Sequence, residues 1–452
     1  MRLFKGSYWL QSGVYTFLER FSLQVFRFGS FYFLVRGMTK EHFGIWTIFL
    51  ILSALIEVTR MGLIQNGLVK FLTSTDNQKI KGRINTASLM LNIFITLIST
   101  IILFVMAQLQ HVFWNVTLLD ELIYIYILTT IVLIPFFQFT FILQANYDFR
   151  GILYSNVVRQ GLFFFYVLFC YLDPDYPFRL LHLAAFQVVS AFFGSIVAWF
   201  TARKYLIFSA RLDIRWLKWL FGYGKFVVGT NLGSMFIKSI DQLMLGIMMS
   251  PVAVAIYGTA IKVANLVEVP TQSIAAIVFP KSAQKIEKEG KESVKQLYEK
   301  SVGVILALII PGVIFVLLFP EWILKIIAGD EYLEAAQLLQ VTMLYGLFVP
   351  FARQFGTMLD AMGKPHINFF IVMISAVLNI VFNYIFINFW GVIGAAYATL
   401  ITYLIVFILN QIILYREIKV RTFQTFVYAK DVYRNGFILL RQKLFSWSGN
   451  NS

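Results

Sequence analysis

The chain has 452 residues, 59% of them hydrophobic and 13% charged, with a formal net charge of +15. A soluble domain carries about 25% charged residues, so this composition excludes a soluble globular protein and points to an all-α polytopic membrane protein. One cysteine, Cys170, excludes a framework of intrachain disulfides. No basic face on a soluble module supports a nucleic-acid role; cytoplasmic loops, anionic lipid and an anionic substrate account better for the Lys and Arg excess.

The start, MRLFKGSYWLQSG, has two positive charges but no small-residue cleavage site after a short apolar core, and is expected to be retained. Apolar runs long enough to cross a hydrocarbon core of about 30 Å follow at 14–35, 43–64, 84–108, 121–144, 151–172, 181–202, 221–249, 252–279, 302–320, 335–362, 366–389 and 391–415. The connections alternate in charge. Lys70, Lys79, Lys81 and Arg83 lie after the second run, Arg203, Lys204, Arg211, Arg215 and Lys218 after the sixth, and a basic stretch from Arg416 after the twelfth. The opposite side holds Asp120 and Glu121, Asp173 and Asp175, and Asp330, Glu331 and Glu334. This bias places both termini in the cytoplasm. The segment Lys281–Lys300 alternates in sign and reads as a solvated cytoplasmic helix without chemistry. The tail from Arg421 interleaves aromatic and basic residues, as a helix lying on the inner leaflet does, or stays disordered, most plainly at 446–452.

Charges inside the spans are concentrated on few helices. The first carries Glu19, Arg20 and Arg27, the second Glu57 and Arg60, the fifth Arg159, the seventh Lys238 and Asp241, the eighth Lys262 and Glu268, and the tenth Arg353 and Asp360. A charge at mid-membrane costs roughly 2.5–3.5 kcal/mol on insertion scales, and such residues face a bundle interior or a water-filled cavity. Charged helices one and two recur six helices later as seven and eight. That spacing fits two six-helix bundles of parallel topology around a central cleft, with residues 1–205 as the first bundle, 206–220 as a cytoplasmic linker, 221–415 as the second bundle and 416–452 as a basic cytoplasmic tail. Arg20, Gln24 and Arg27 fall at i, i+4, i+7 and form one stripe. The deep bases outnumber the deep acids by two, and Arg offers a fork that matches phosphate. Arg20, Gln24, Arg27, Arg60, Lys238, Lys262 and Arg353 are therefore the candidate substrate-binding residues. Glu19, Glu57, Asp241 and Glu268 are candidates for ion coupling or for pairing those bases. The alternative is that all these charges only hold helices together; Lys238 and Asp241, at i, i+3, share a helix face and suit such a pair.

The stretch GTMLDAMGKPHINFFIVMISAVLNIVFNYIFINFWGVIGAAYATLITYLI resembles the late helices of polysaccharide flippases of the multidrug/oligosaccharidyl-lipid/polysaccharide exporter superfamily. A helix ends in L-x-A-x-G-K (Leu359 to Lys364), Asn379 and Asn383 follow, and Gly391-Val392-Ile393-Gly394-Ala395-Ala396 opens the last conserved helix. Asp241 to Gly246, Tyr257, Lys262, Pro270 and Pro280 resemble that family's seventh and eighth helices, and Phe43-Gly44-Ile45-Trp46 with Met61-Gly62-Leu63 its first hairpin. The resemblance implies a Wzx-like translocase of undecaprenyl-pyrophosphate-linked repeat units, working by alternating access in the bacterial inner membrane for O-antigen, lipopolysaccharide or other surface polysaccharide. A polysaccharide polymerase or export machinery is the partner it suggests. The lipid II flippase branch usually has two further C-terminal helices, where this chain has a basic tail. The drug-exporting branch uses acidic sites for cation coupling, so the four acids keep open a cation-coupled small-molecule exporter and an H+ or Na+ coupling ion. No other cofactor is expected. Gly391, Gly394, Ala395, Ala396 and Ala398 offer a face for close helix approach, and Pro251, Pro270 and Pro311 offer kinks or ordinary connections.

An enzyme reading finds little support. The connections are about 20 residues or shorter, the four His are scattered, and neither a Gly-rich phosphate loop nor a nucleophile with a neighbouring base is present. No catalytic or metal-binding residue is assigned.

Overall fold

The computed structural model describes residues 3–448 except 114–115, 269, 273, 276–277, 279–290 and 363. Among the described residues it is all helix and loop. The first six helices are α1 (Leu3–Gly37), α2 (Lys40–Thr73), α3 (Gln78–Phe113), α4 (Leu119–Ala145), α5 (Phe149–Leu172) and α6 (Leu180–Ala202). Then come α7 (Ile214–Met248), α8 (Pro251–Ala264), α9 (Lys291–Leu318), α10 (Pro320–Ile327), α11 (Ala336–Gly346), α12 (Val349–Ala361), α13 (Pro365–Trp390), α14 (Val392–Ile418) and α15 (Thr422–Ser448). Ten helical stretches of the described residues are long and apolar enough to cross a membrane. α1 and α7 have 35 residues each, about 52 Å at 1.5 Å per residue; their internal charges, not their length, keep them out of that count. The protein is thus an all-α membrane protein of about twelve spans.

Local signals explain the boundaries. Thr39 caps α2 by accepting the His42 amide at 3.3 Å, and Asp148 caps α5 by accepting the Gly151 amide at 3.0 Å. Pro251 opens α8, where a missing N–H costs nothing. The tenth expected span, 335–362, is broken into α11 and α12 at Leu347 and Phe348. Pro350 cannot donate to the Gly346 carbonyl, so the ladder stops one turn earlier. The short α10 and a 3-10 turn at Asp330–Ala335, entered through Gly329 at φ +91°, were not separable by hydropathy from their neighbours. The eighth span passes at Ala264 into a 3-10 turn, Asn265–Val267, and the described residues beyond it, 268, 270–272, 274–275 and 278, are again helical. The first half of the charged segment at 281–300 lies outside the described residues; from Lys291 onward it is the start of α9.

The chain divides into two compact units, Met1–Ser239 with Ser250–Ala255, and Ile240–Met249 with Ile256–Ser452. In the first, α4 packs on α2, α3 and α6, and α5 packs on α1 and α6. Its core gathers Ile64, Leu68, Ile84, Leu91, Leu133, Phe136 and Phe141. Gly44 lies so close to the Pro251 carbonyl that a Cβ would collide with it. In the second unit α13 pairs with α14 at Gly394, where a Cβ would strike the Phe386 carbonyl, and Ala395, Ala396 and Ala398 are fully buried. The small-residue face therefore does bring backbones together.

The basic C-terminal segment is helical and docked on another helix. α15 packs along α9, with Gly303 beneath Thr425 and Ala429. The Tyr433 hydroxyl donates to the Ala307 carbonyl at 2.5 Å, and the Arg421 amide to Glu299 Oε1 at 2.7 Å.

Candidate functional site

The first unit holds a polar cluster strung across α1 to α5. Asn156 Nδ2 on α5 donates to Glu19 Oε1 on α1 at 2.8 Å. One turn further along α5, Arg159 forms an ion pair with Glu57 of α2 at 2.5 Å. The Arg159 guanidinium also lies 5.0 Å from the Phe136 ring and 5.8 Å from that of Phe137, and cations are attracted to such faces. Both acids of this unit's candidate set are thus tied to α5.

Arg60 departs from the expectation of a cleft-facing cation. It is only 1% exposed. Its Nη2 donates to Thr96 Oγ1 at 2.8 Å and to the Thr130 carbonyl at 3.0 Å, and its guanidinium sits 5.3 Å from the Phe137 ring. Nε and Nη1 are buried without a hydrogen-bond partner. A buried charge with incomplete partners is costly, and an apolar residue of similar volume is often more stable. Arg60→Met is therefore expected to raise stability by about 1–2 kcal/mol in thermal unfolding. A lower melting temperature would mean that the guanidinium makes a net favourable contribution where it lies.

Arg20, Gln24 and Arg27 are all exposed along one face of α1, as their spacing requires. Lys238 on α7 and Lys262 on α8 are exposed, as is Arg353 on α12. Glu268 is half-buried and accepts from Gln272 Nε2 at 2.9 Å.

The second unit contains the tightest polar constellation. Asp241 is 4% exposed. Its Oδ2 accepts the Tyr257 hydroxyl at 2.5 Å and the Thr399 hydroxyl at 2.7 Å, and its Oδ1 accepts Asn383 Nδ2 at 2.6 Å. Asn379 Nδ2 donates to Thr399 Oγ1 at 3.1 Å. Four helices, α7, α8, α13 and α14, each supply part of this cluster. Its hydrogen-bond partners are all neutral, so the carboxylate is solvated by fixed dipoles and not by a base. Asn383 Oδ1 is buried and accepts nothing. Sequence reasoning singled out Asp241 and both asparagines separately but missed that they meet, and missed Thr399 altogether. The available signal was the i, i+4 pair of amides in an otherwise apolar helix, since two buried amides on one face need a polar partner.

The loops at one end of the first unit are also organised. Asn85 Nδ2 donates to the Ile207 carbonyl at 2.9 Å, and Thr86 Oγ1 to that of Ser209 at 2.9 Å. Hydrogen bonding from Arg215 holds the Asp213 carboxyl below its ordinary range. Burial pushes the Asp148 carboxyl up, but Lys204, the Gly151 amide and Tyr205 together hold it below that range. The L-x-A-x-G-K motif closes on an ion pair in the second unit, Lys364 to Glu417 at 2.6 Å.

A family model described as polysaccharide biosynthesis protein matches residues 33–337. The chain belongs to that family. It is 30% identical over 263 residues, 56% of its length and 51% of the relative's, to an uncharacterized membrane protein, MJ1068, of Methanocaldococcus jannaschii. It is 28% identical over 184 residues, 41% of its length and 39% of the relative's, to the probable low-salt glycan biosynthesis flippase Agl15 of Haloferax volcanii. The chain therefore spans about half of these curated relatives' length or less. Among solved structures, the inward closed conformation of the lipid II flippase MurJ superposes with a TM-score of 0.72 at 14% identity, covering 95% of this chain and 92% of that one. At that identity the likeness concerns the fold alone.

Proposed function

We propose that the protein flips a lipid-linked oligosaccharide repeat unit across the cytoplasmic membrane, for synthesis of surface polysaccharide such as O-antigen. The observation that carries this reading is the exposed Arg20–Gln24–Arg27 stripe inside the α1 span of a polysaccharide biosynthesis family member. A polar and doubly cationic stripe is costly against lipid and suited to a solvated diphosphate. The stripe, with Lys238, Lys262 and Arg353, binds the pyrophosphate of a polyprenyl carrier, undecaprenyl in a bacterial host. The sugars occupy a hydrated cleft and the prenyl tail stays in lipid. Alternating access exposes the bound head group to the two sides of the membrane in turn, and no covalent step is required. Arg60, enclosed in its unit, does not touch the substrate.

Asp241 is the carboxylate we assign to ion coupling. Glu57 is paired with Arg159 and Glu19 with Asn156, whereas among the described residues the hydrogen bonds to Asp241 come from neutral groups, Tyr257, Thr399 and Asn383. Carboxylate, amide and hydroxyl oxygens suit H+ or a small hard cation such as Na+. The same cluster favours the second reading, a cation-coupled exporter of small molecules.

Complementation of a strain lacking its polysaccharide flippase tests both readings. Surface polymer is expected to return. Arg27→Ala combined with Lys262→Ala should lower it roughly tenfold or more at equal protein level, since a charge-assisted hydrogen bond contributes about 1.5–3 kcal/mol and 1.4 kcal/mol is tenfold. Transport at the parent rate in that variant would remove these cations from the site. Efflux of an organic cation without any surface polymer would favour the exporter.

A further inference from the structure

The connection between α4 and α5 and the end of α6 form an open surface cavity of about 400 Å³ lined by Asp148, Arg150, Tyr154, Phe200, Arg203 and Lys204, among others. Three cations face it against one carboxylate. That carboxylate is already engaged: Asp148 accepts from Lys204 Nζ at 2.9 Å, from the Gly151 amide at 3.0 Å and from the Tyr205 hydroxyl at 3.1 Å. Asp148 and Lys204 therefore neutralise each other, and Arg150 and Arg203 set the charge of the cavity. Both are held by aromatic rings. Arg150 Nε donates to the Tyr154 hydroxyl at 2.9 Å and its guanidinium lies 5.3 Å from that ring; Arg203 lies 5.9 Å from the Phe200 ring. Guanidiniums pre-set in this way recognise phosphate oxygens well.

A second cavity, about 390 Å³, runs between α4 and α6. Phe192, Ile196 and Trp199 line it from α6, and Val132, Pro135 and Phe139 from α4. The one hydroxyl on its wall, Ser195, is spent on the Val132 and Ala191 carbonyls at 3.0 and 2.8 Å, so the groove presents hydrocarbon. Ile196 and Trp199 on α6 and Arg203, the first residue past its end, follow one another at i, i+3, i+7, the spacing of one helix face. That spacing sets the apolar groove and the basic cavity in line along α6. A lone phosphate ion would use the second feature and not the first.

The position along the span fits as well. The Tyr205 hydroxyl joins this corner to Asp148, and the loop that follows Tyr205 is fastened to the start of α3 by Asn85 and Thr86. That end carries Lys79, Lys81, Arg83, Arg211, Arg215 and Lys218, and such Lys and Arg bias marks the cytoplasmic side, where the anionic leaflet lies.

We propose that this corner is a binding site for an anionic phospholipid of the inner leaflet, with the phosphate between Arg150 and Arg203 and one acyl chain in the α4–α6 groove. The inference is independent of the transported substrate.

Thermal unfolding of the full chain, purified and stripped of lipid, tests it. Dioleoyl phosphatidylglycerol is expected to raise the melting temperature by about 3 °C or more over phosphatidylcholine of the same chains, as a ligand of the native state does. Arg150→Gln with Arg203→Gln, both exposed positions, should lose most of that difference. Arg203→Glu alone, a charge reversal at one exposed side chain, should do the same. Ile196→Trp, which fills the groove, should abolish the response to dioleoyl lipid and keep that to dihexanoyl phosphatidylglycerol. Equal shifts with phosphatidylcholine would leave only chain binding, and an equal shift with inorganic phosphate would leave only an ion site; either overturns the proposal. So does an undiminished phosphatidylglycerol response in both arginine variants.

Discussion

Asp241→Asn is expected to leave the protein folded and to remove the ion dependence proposed for transport, whereas Asp241→Ala should destabilise it by about 2–4 kcal/mol. The two substitutions separate the roles of shape and charge. Alanine leaves the Tyr257 hydroxyl, the Thr399 hydroxyl and the Asn383 amide without their acceptor. A buried donor left unsatisfied costs about 1–3 kcal/mol, partly offset here because the carboxylate no longer has to be desolvated. Asparagine keeps one carbonyl acceptor and the same volume, so most of the cluster closes again. It cannot take up H+ or hold a cation by charge. Transport into vesicles, followed across a range of Na+ and pH, should therefore lose its ion response in Asp241→Asn, while the melting temperature falls by only a few degrees. Unchanged ion dependence in a folded Asp241→Asn protein would move coupling to another acid. Parallel loss at Thr399→Val, with a milder effect, would tie the response to the cluster as a whole.

The second large effect concerns Glu57 and Arg159. Their side chains are 27% and 14% exposed, so the pair is screened but not fully enclosed. Removing one partner of a buried pair typically costs 3–5 kcal/mol, because the remaining charge is left in a medium of low dielectric. Glu57→Leu should cost about 3 kcal/mol, and Arg159→Leu somewhat less, since the packing on Phe136 and Phe137 is lost but Glu57 retains some solvent. The double variant should recover most of the loss, giving a coupling energy of about 2 kcal/mol in a double-mutant cycle. Transport adds a second reading. If the pair only fastens α2 to α5, the double variant regains transport along with stability. If stability returns and transport does not, one of the two charges takes part in the transport cycle. Additive losses in the cycle would show that the ion pair contributes nothing.

The span pattern was legible because hydrophobicity is a local property of the chain. A run of about 20 apolar residues must cross the membrane as a helix whatever surrounds it, and helices are observed on the expected runs, with α1, α2, α3, α7 and α9 extending six to eleven residues beyond them at one end. The break at Leu347 and Phe348 could have been read from Pro350, whose effect is also local. The close approach at Gly394 followed from small residues at a hairpin, a feature encoded within one stretch.

Partner choice was not legible in the same way. Lys238 and Asp241 share a helix face by spacing, yet Asp241 is satisfied by Tyr257, Asn383 and Thr399, the last of them 158 residues away in sequence. Arg60 looked like one more cation for a hydrated cleft, but the rotation of α2 against α3 and α4 carries it between Thr96 and Thr130. The basic tail has the composition of a surface helix, and only the small side chain of Gly303 reveals where it docks. By itself the sequence determined where the membrane-crossing runs lie and which of them bear charge, since each of those properties is paid for or rewarded residue by residue in lipid. Which charge meets which donor was decided by the tertiary structure alone, because a difference of a third of a turn in helix rotation moves a side chain from solvent to core without changing the helix's composition.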